Sequence, residues 1–255
     1  MEYIGNDRLK ELRPHKKKNT WLGIGIVLII LCCVAVIFFL FVNRTHKNSN
    51  SVVVEYALDL RDVEPFDDQP YVVLNSNIPN FSDSDKVVKS FEIYSDLDDL
   101  GRCGVAYANI SKDIMPTEER GEIGSVKPSG WHTVKYNDLI DGNYLYNRCH
   151  LIAYCLAGEN ANEKNLITGT RYLNVVGMLP FEIIVAEYVE QTGNHVLYRV
   201  TPIFENDNLI ASGVKIEAWS VEDNGAGICF NVYCYNVQPG IEIDYKTGES
   251  HRSGE

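Results

Sequence analysis

The stretch that decides the reading runs from Tyr146 to Glu182, YNRCHLIAYCLAGENANEKNLITGTRYLNVVGMLPFE. Arg148, His150, Asn165, Asn174 and Glu182 all fall inside it, and no other window of the chain gathers such groups. Cleaving a phosphodiester takes a base to activate water, cations to hold the phosphate and, as a rule, a divalent ion at the leaving oxygen. Imidazole has an ordinary pKa near neutrality, so His150 is the candidate base. Taken singly, Asn174 would pass as a helix cap and Glu182 as a first-turn acid complementing a helix dipole. Only their grouping points to chemistry.

Downstream, Pro180 to Thr192 (PFEIIVAEYVEQT) reads as a helix, with Pro suited to its first position, Glu182 in the first turn and Gly193 just past the end. Asn174 and Glu182 lie about two helical turns apart, on neighbouring faces, but Pro180 interrupts any regular helix there, so a bent or broken helix is expected. His195–Pro202, Leu209–Val221 and Ile228–Val237 look like strands linked by turn-rich FENDN and EDNGAG, which predicts an antiparallel meander. Upstream, Tyr71–Leu74, Ser90–Tyr94 and Leu100–Ile110 also read as strands. Pro116, Gly121, Gly124, Pro128 and Gly130 then punctuate a loop region ending at Trp131. The fold class that follows is α+β with a mainly antiparallel sheet.

The chain has 255 residues, 45% hydrophobic and 23% charged, enough for one sizeable core and unlike a disordered or collagenous chain. A formal charge of −12 excludes a protein that coats nucleic acid by bulk electrostatics, so any nucleic-acid chemistry must be local. Residues 1–20 are net +3, 21–43 carry no charge, and 44–255 are net −15. Trp21 to Val42 is an uncharged run whose helix would span about 33 Å, the depth of a bilayer's hydrocarbon layer. It exceeds the h-region of a cleaved signal peptide and ends without a small-residue cleavage site, so one transmembrane helix is expected. Lys16 to Lys18 stand directly before it, which keeps the N-terminus in the cytoplasm and places the rest outside the cell. The expected order is a cytoplasmic basic tail (1–20), membrane helix (21–42), extracellular linker (43–69), folded domain (70–248) and C-terminal tail (249–255), with no obligate protein partner. Five cysteines lie beyond the membrane segment and cannot all pair with one another. Cys149, His150 and Cys155 lack the paired spacing of a zinc site, and small buried hydrophobes suit the set better. His132 and His195 read as structural or surface residues.

NRCH at 147–150, NEKNLITGTRYLN at 162–174 and the following Glu182 resemble the DNA/RNA non-specific endonuclease family, nearest to the membrane-anchored DNA-entry nucleases of Gram-positive bacteria. The likeness continues through SVKPSGW (125–131), HVLYRVTP (195–202) and NVQPGIEIDYKTG (236–248), about residues 70–248 in all. It implies a ββα-metal finger. It implies His150 as general base and Asn174 as the one direct protein ligand of Mg²⁺, with Mn²⁺ as the alternative, an arrangement that suits an ion that prefers oxygen and keeps several waters. By the same resemblance Glu182 holds a water of that ion, Asn165 positions the loop or the base, Arg148 braces the site, and Arg120 contacts phosphate. Lys127, Trp131, Lys135 and Arg171 are further candidates to contact phosphate or stack on a base, with a place in the core as the alternative for Trp131. Two residues depart from the family pattern. Asn147 replaces Asp, removing a carboxylate, and Cys149 replaces Gly, where the backbone would need room or positive φ. The implied activity is hydrolysis of DNA, and RNA likewise, at the cell surface and without base readout, since a site that grips phosphate and sugar reads no base edges. The alternative is a catalytically decayed surface module that captures nucleic acid without cutting.

Overall fold

A computed structural model describes Leu58 and residues 60–254. The basic tail, the expected membrane helix at 21–42 and the linker up to residue 57 lie outside the described residues. Among the described residues no helix is long and apolar enough to cross a membrane.

Strands β1 (Tyr71–Val73), β2 (Phe91–Tyr94) and β3 (Ala106–Ile110) precede a finger made of β4 (Tyr146–His150), the short helix α1 (Tyr154–Ala157) and β5 (Leu166–Thr170). A π-helical segment, Leu173–Met178, then leads into α2 (Leu179–Thr192). Five strands follow: β6 (Val196–Ile203), β7 (Gly213–Ser220), β8 (Cys229–Tyr235), β9 (Ile241–Ile243) and β10 (Ser250–Arg252). The expected meander is present, with β6, β7 and β8 paired antiparallel and Ala218 opposite both Tyr198 and Phe230. Strands β3 and β2 extend the β6 edge and β1 the β8 edge, giving the order β1-β8-β7-β6-β3-β2. Of the run Leu100–Ile110 only Ala106–Ile110 is strand. Before it, Asp98 accepts hydrogen bonds from the backbone of Leu100 and Arg102 and folds a turn through Gly101, whose φ is 72°.

Period-two alternation sorts the sheet into two faces. Ala106, Ala108, Tyr198, Val200, Ile216, Ala218, Phe230 and Val232 form one face and share a core with Phe181, Val185 and Val189 of α2. These three helix residues recur every fourth position, which is why this flank of α2 is buried while Ile183 and Ile184 remain exposed. Burying each contributes about 1.5–3 kcal/mol.

The opposite face buries charge. Arg199 on β6 sits directly across from Glu217 on β7 and donates to its Oε2 from Nε (2.9 Å) and Nη2 (2.7 Å). The backbone N–H of Asn80 donates to the other carboxylate oxygen and its carbonyl accepts from Arg199, so the segment before β2 is strapped across the sheet. Breaking such a pair leaves an uncompensated buried charge. Glu217→Ala is therefore expected to lower unfolding free energy by about 3–5 kcal/mol, read from urea denaturation.

Two boundaries move. Leu58, Leu60, Val63 and Phe66 pack against Ile203, Tyr233 and Tyr235, and Tyr235 donates to the Glu64 carbonyl, so the tether expected over 43–69 is already part of the fold from Leu58. The C-terminal tail expected at 249–255 instead supplies β10, paired with β9. Arg252 adds a two-pronged bond to Asp138 at 2.6 and 3.1 Å. Short polar strands of this kind carry little hydrophobic signal, which is why alternation did not reveal them.

Candidate active site

The finger is pinned before it is functional. Asn236, just after β8, accepts from the Thr170 backbone N–H (2.8 Å) and donates to the carbonyls of Thr168 and Ala211. Strands β4 and β5 pair with His150 opposite Leu166 and Cys149 opposite Ile167, and the helical stretch follows directly, giving a ββα arrangement. Asn165 is fully buried and joins the two by accepting from the Ile152 backbone N–H at 2.8 Å and donating to its carbonyl at 2.9 Å. It fixes the loop that leaves His150 and does not itself face the cavity.

Helical geometry brings the next two residues together. In a regular α-helix, eight residues at about 100° each leave two side chains about 80° apart around the axis. Here Leu179 N–H bonds to the Asn174 carbonyl, five residues back, so the first part is a wide π turn that takes out much of that rotation. Pro180 accounts for it: its ring cannot sit against the carbonyl four residues earlier. Asn174 and Glu182 thereby face one cavity.

That cavity, about 720 Å³, is lined by His150, Asn174, Glu182, Arg120, Arg148 and Arg171 together with Trp131 and Tyr144. Lys127, expected to contact phosphate, is exposed and is not in its wall. Residue 127 is followed by Pro128 in a loop whose carbonyls, at Gly124 and Val126, turn inward to accept from Arg148. Arg148 is accordingly a brace, its guanidinium 4.1 Å from the Trp131 ring centroid.

His150 is 6% exposed. Its Nε2 lies 2.8 Å from the Asn160 carbonyl, which can only accept, so Nε2 carries the proton and Nδ1 keeps the lone pair. Arg120 Nη2 donates to that lone pair at 3.3 Å. Burial holds the imidazole pKa below its ordinary 6.5, with Arg120 adding in the same direction against the opposing bond to Asn160. The ring is thus neutral at pH 7, the state a base needs. Glu182 is buried, and desolvation pushes its carboxyl up to about 8, the Arg120 charge only partly countering.

Cys149 is fully buried, and burial pushes its thiol well above the ordinary range, so it stays a neutral donor. Its Sγ lies 3.1 Å from Asn174 Oδ1. A side chain fits here because residue 169 on the paired strand is glycine: a Cβ there would lie 2.7 Å from that of Cys149. The residue keeps an ordinary place in β4, so the departure from Gly does not disturb the strand. Asn147 lines the cavity, and its Nδ2 is buried with no protein partner among the described residues. His132 and His195 stand elsewhere, the first bonded to the Thr247 carbonyl and the second to Glu222.

The family model for DNA/RNA non-specific endonucleases matches residues 80–222. The chain belongs to this family. Among solved structures, NucA from Streptococcus agalactiae with magnesium ion bound is 29% identical, covering 76% of this chain and 92% of that one with a TM-score of 0.65. NucA with no metal bound is 30% identical over 74% of this chain and 90% of that one, at a TM-score of 0.63. The Sda1 nuclease with bound zinc ion shares the fold at 24% identity and a TM-score of 0.59, over 77% of this chain and all of that one. What sequence reading missed in this non-specific endonuclease site is the Asn160 carbonyl, which sets the histidine tautomer, and the cavity residues Tyr144 and Tyr154. A backbone acceptor has no residue signature; Tyr144 lies in an irregular segment and Tyr154 opens a single-turn helix, both too short for periodicity to mark.

Proposed function

We propose that the chain is a metal-dependent endonuclease that hydrolyses DNA and RNA without base readout, anchored by residues 21–42 with its catalytic domain outside the cell. The observation that carries this reading is the His150 ring. Its proton is fixed on Nε2 by a carbonyl and its lone pair is directed at an arginine, in a cavity shared with Asn174 and Glu182.

Asn174 and Glu182 offer hard oxygen donors. Among the described residues no group of three or more His, Cys, Asp or Glu could hold an ion. So sparse a set suits an ion that keeps most of its water, Mg²⁺ or Mn²⁺, better than Zn²⁺. Asn174 would hold it, with Glu182 beside it. When bound, the ion supplies positive charge to the phosphate and the leaving oxygen. The chain's own residues do the rest. A phosphate oxygen is a stronger acceptor for Arg120 than the imidazole is, so substrate draws the guanidinium off Nδ1 and frees the base. His150 Nδ1 takes a proton from the attacking water, the bond from phosphorus to O3′ breaks, and O3′ leaves with a proton from solvent, giving 5′-phosphate ends. Asn147 stands in the wall with Nδ2 buried and unpartnered among the described residues, a donor where the family's Asp would only accept. Arg120, Arg148 and Arg171 make the cavity locally positive in a domain that is otherwise acidic.

Nicking of supercoiled plasmid is the direct test. Relaxed and then fragmented DNA is expected with Mg²⁺ and none with EDTA; binding without cutting under both conditions would favour the capture module instead. Asn174→Ala removes the protein oxygen assigned to the ion and is expected to abolish Mg²⁺ binding in calorimetry. Cys149→Ala, which removes the thiol donor that orients the Asn174 amide oxygen, is expected to weaken it about ten-fold. The anchor is tested by alkaline extraction of membranes, in which release of the full-length chain to the supernatant would overturn it.

A further inference from the structure

The cavity is larger than one phosphate requires. Besides Arg120, His150, Asn174 and Glu182, its wall includes Tyr144 and Arg171. These two are fixed as neighbours: the Arg171 backbone N–H donates to the Leu145 carbonyl at 2.8 Å, and the Arg171 guanidinium lies along the turn at Gly142. Tyr144 is 44% exposed, high for a ring in a cavity wall. Lys135, bridged to it across the backbone, places Nζ 4.5 Å from its ring centroid and so covers one face. Trp131, by contrast, has Arg148 against it and packs on the small core around Ile140 and Tyr146. Among the described residues the Arg171 guanidinium makes a long ion contact, 3.7 Å, to Asp141, whose side chain is fully exposed. A ring with an open face beside a weakly engaged guanidinium is the chemistry of a nucleobase and its adjoining phosphate.

We propose that Tyr144, Lys135 and Arg171 form a stacking subsite for an unpaired base of single-stranded DNA or RNA, the base lying on the uncovered face of Tyr144 while Arg171 takes the neighbouring phosphate. The proposal rests on the nuclease reading above and adds strand preference to it. Six residues separate Tyr144 from His150, at most about 20 Å of extended chain, so the stacked base lies a few nucleotides from the scissile bond. A paired base keeps its faces against its neighbours in the duplex and cannot use the ring without being unstacked. Stacking is blind to base identity, so the subsite selects single strands without selecting sequence.

The test separates binding from cutting. Affinity for a fluorescein-labelled single-stranded DNA oligonucleotide and for its duplex is measured by anisotropy in EDTA, with His150→Ala as the parent chain. Adding Tyr144→Ala is expected to weaken single-strand binding about ten-fold, at least several-fold more than duplex binding, with no change in salt dependence. Tyr144→Phe is expected to retain the parent affinity. Arg171→Ala is expected to flatten the slope of log affinity against log salt by about one unit. Parent-like single-strand binding by Tyr144→Ala, or equal losses on single strand and duplex, would overturn the subsite. If the wild type instead cuts no substrate with Mg²⁺, the nuclease reading fails, while the anisotropy series still decides the subsite.

Discussion

His150→Ala is expected to slow plasmid nicking by about 10²- to 10⁴-fold, the usual worth of a positioned general base. The loss should be in kcat, because in the proposed mechanism the ring acts on the attacking water while other groups hold the phosphate. Folding should survive: the side chain bonds to the Asn160 carbonyl and to Arg120, and the loop beyond it is pinned independently by Asn165. Unchanged circular dichroism with lost activity is the expected pair of results. A variant that nicks within a few-fold of wild type would remove the histidine from the mechanism. The pH profile gives a second reading of the same ring. Because burial and Arg120 both depress its pKa in the free enzyme, the acidic limb of kcat/KM should fall below pH 6.5. Arg120→Ala withdraws a neighbouring cation, so the imidazolium becomes easier to form and the limb should move to higher pH.

Glu182→Gln is expected to act in opposite directions on activity and on stability. Nicking should fall, since among the described residues the carboxylate is the one acidic side chain in the cavity wall. Stability of the metal-free protein should rise. The folded-state carboxyl is pushed up to about 8 from an ordinary 4.5, so between those values the folded protein binds more protons than the unfolded chain. Stability of the wild type therefore declines as pH climbs through that window, at up to about 1.4 kcal/mol per pH unit. Glutamine has no charge to desolvate, and its variant should lack the decline. Urea midpoints from pH 5 to 8.5 in EDTA check this, and parallel curves for the two proteins would contradict it. Such a carboxyl is in keeping with functional groups held in unfavourable surroundings by a scaffold that over-determines them, and a cation in the cavity would relieve it.

How far the residues alone reach can be judged at particular positions. The meander was legible because Val196–Ile203, Gly213–Ser220 and Cys229–Tyr235 are long and rich in β-branched and aromatic residues between glycine-bearing turns. Helix α2 was legible from Pro180 and Gly193, whose φ of 74° is the left-handed stop that glycine permits. Strands β4 and β5 were not, because their residues serve cavity, core and hairpin at once and show no clean alternation. They were reached through the resemblance carried by NRCH. Within the site, His150, Asn174, Glu182, Arg120, Arg148 and Arg171 do converge on one cavity, whereas Asn165 acts from behind it and Lys127 is absent from its wall. The sequence shows charge at 127 but not that the loop turns its carbonyls inward and its lysine out. Nor does it show that Cys149 and Gly169 are one fitted pair, since the match lies across a hairpin.

The widened turn at Leu173–Met178 makes the finger helix a gauge as well as a support. Replacing Pro180 by Ala at unchanged length would let the backbone relax to the ordinary winding, with every group of the site still in the chain. The amide and the carboxyl would then be swung out of alignment by roughly a quarter of a revolution. Such a protein should remain folded and yet be inert. Winding, here, is itself part of the active site.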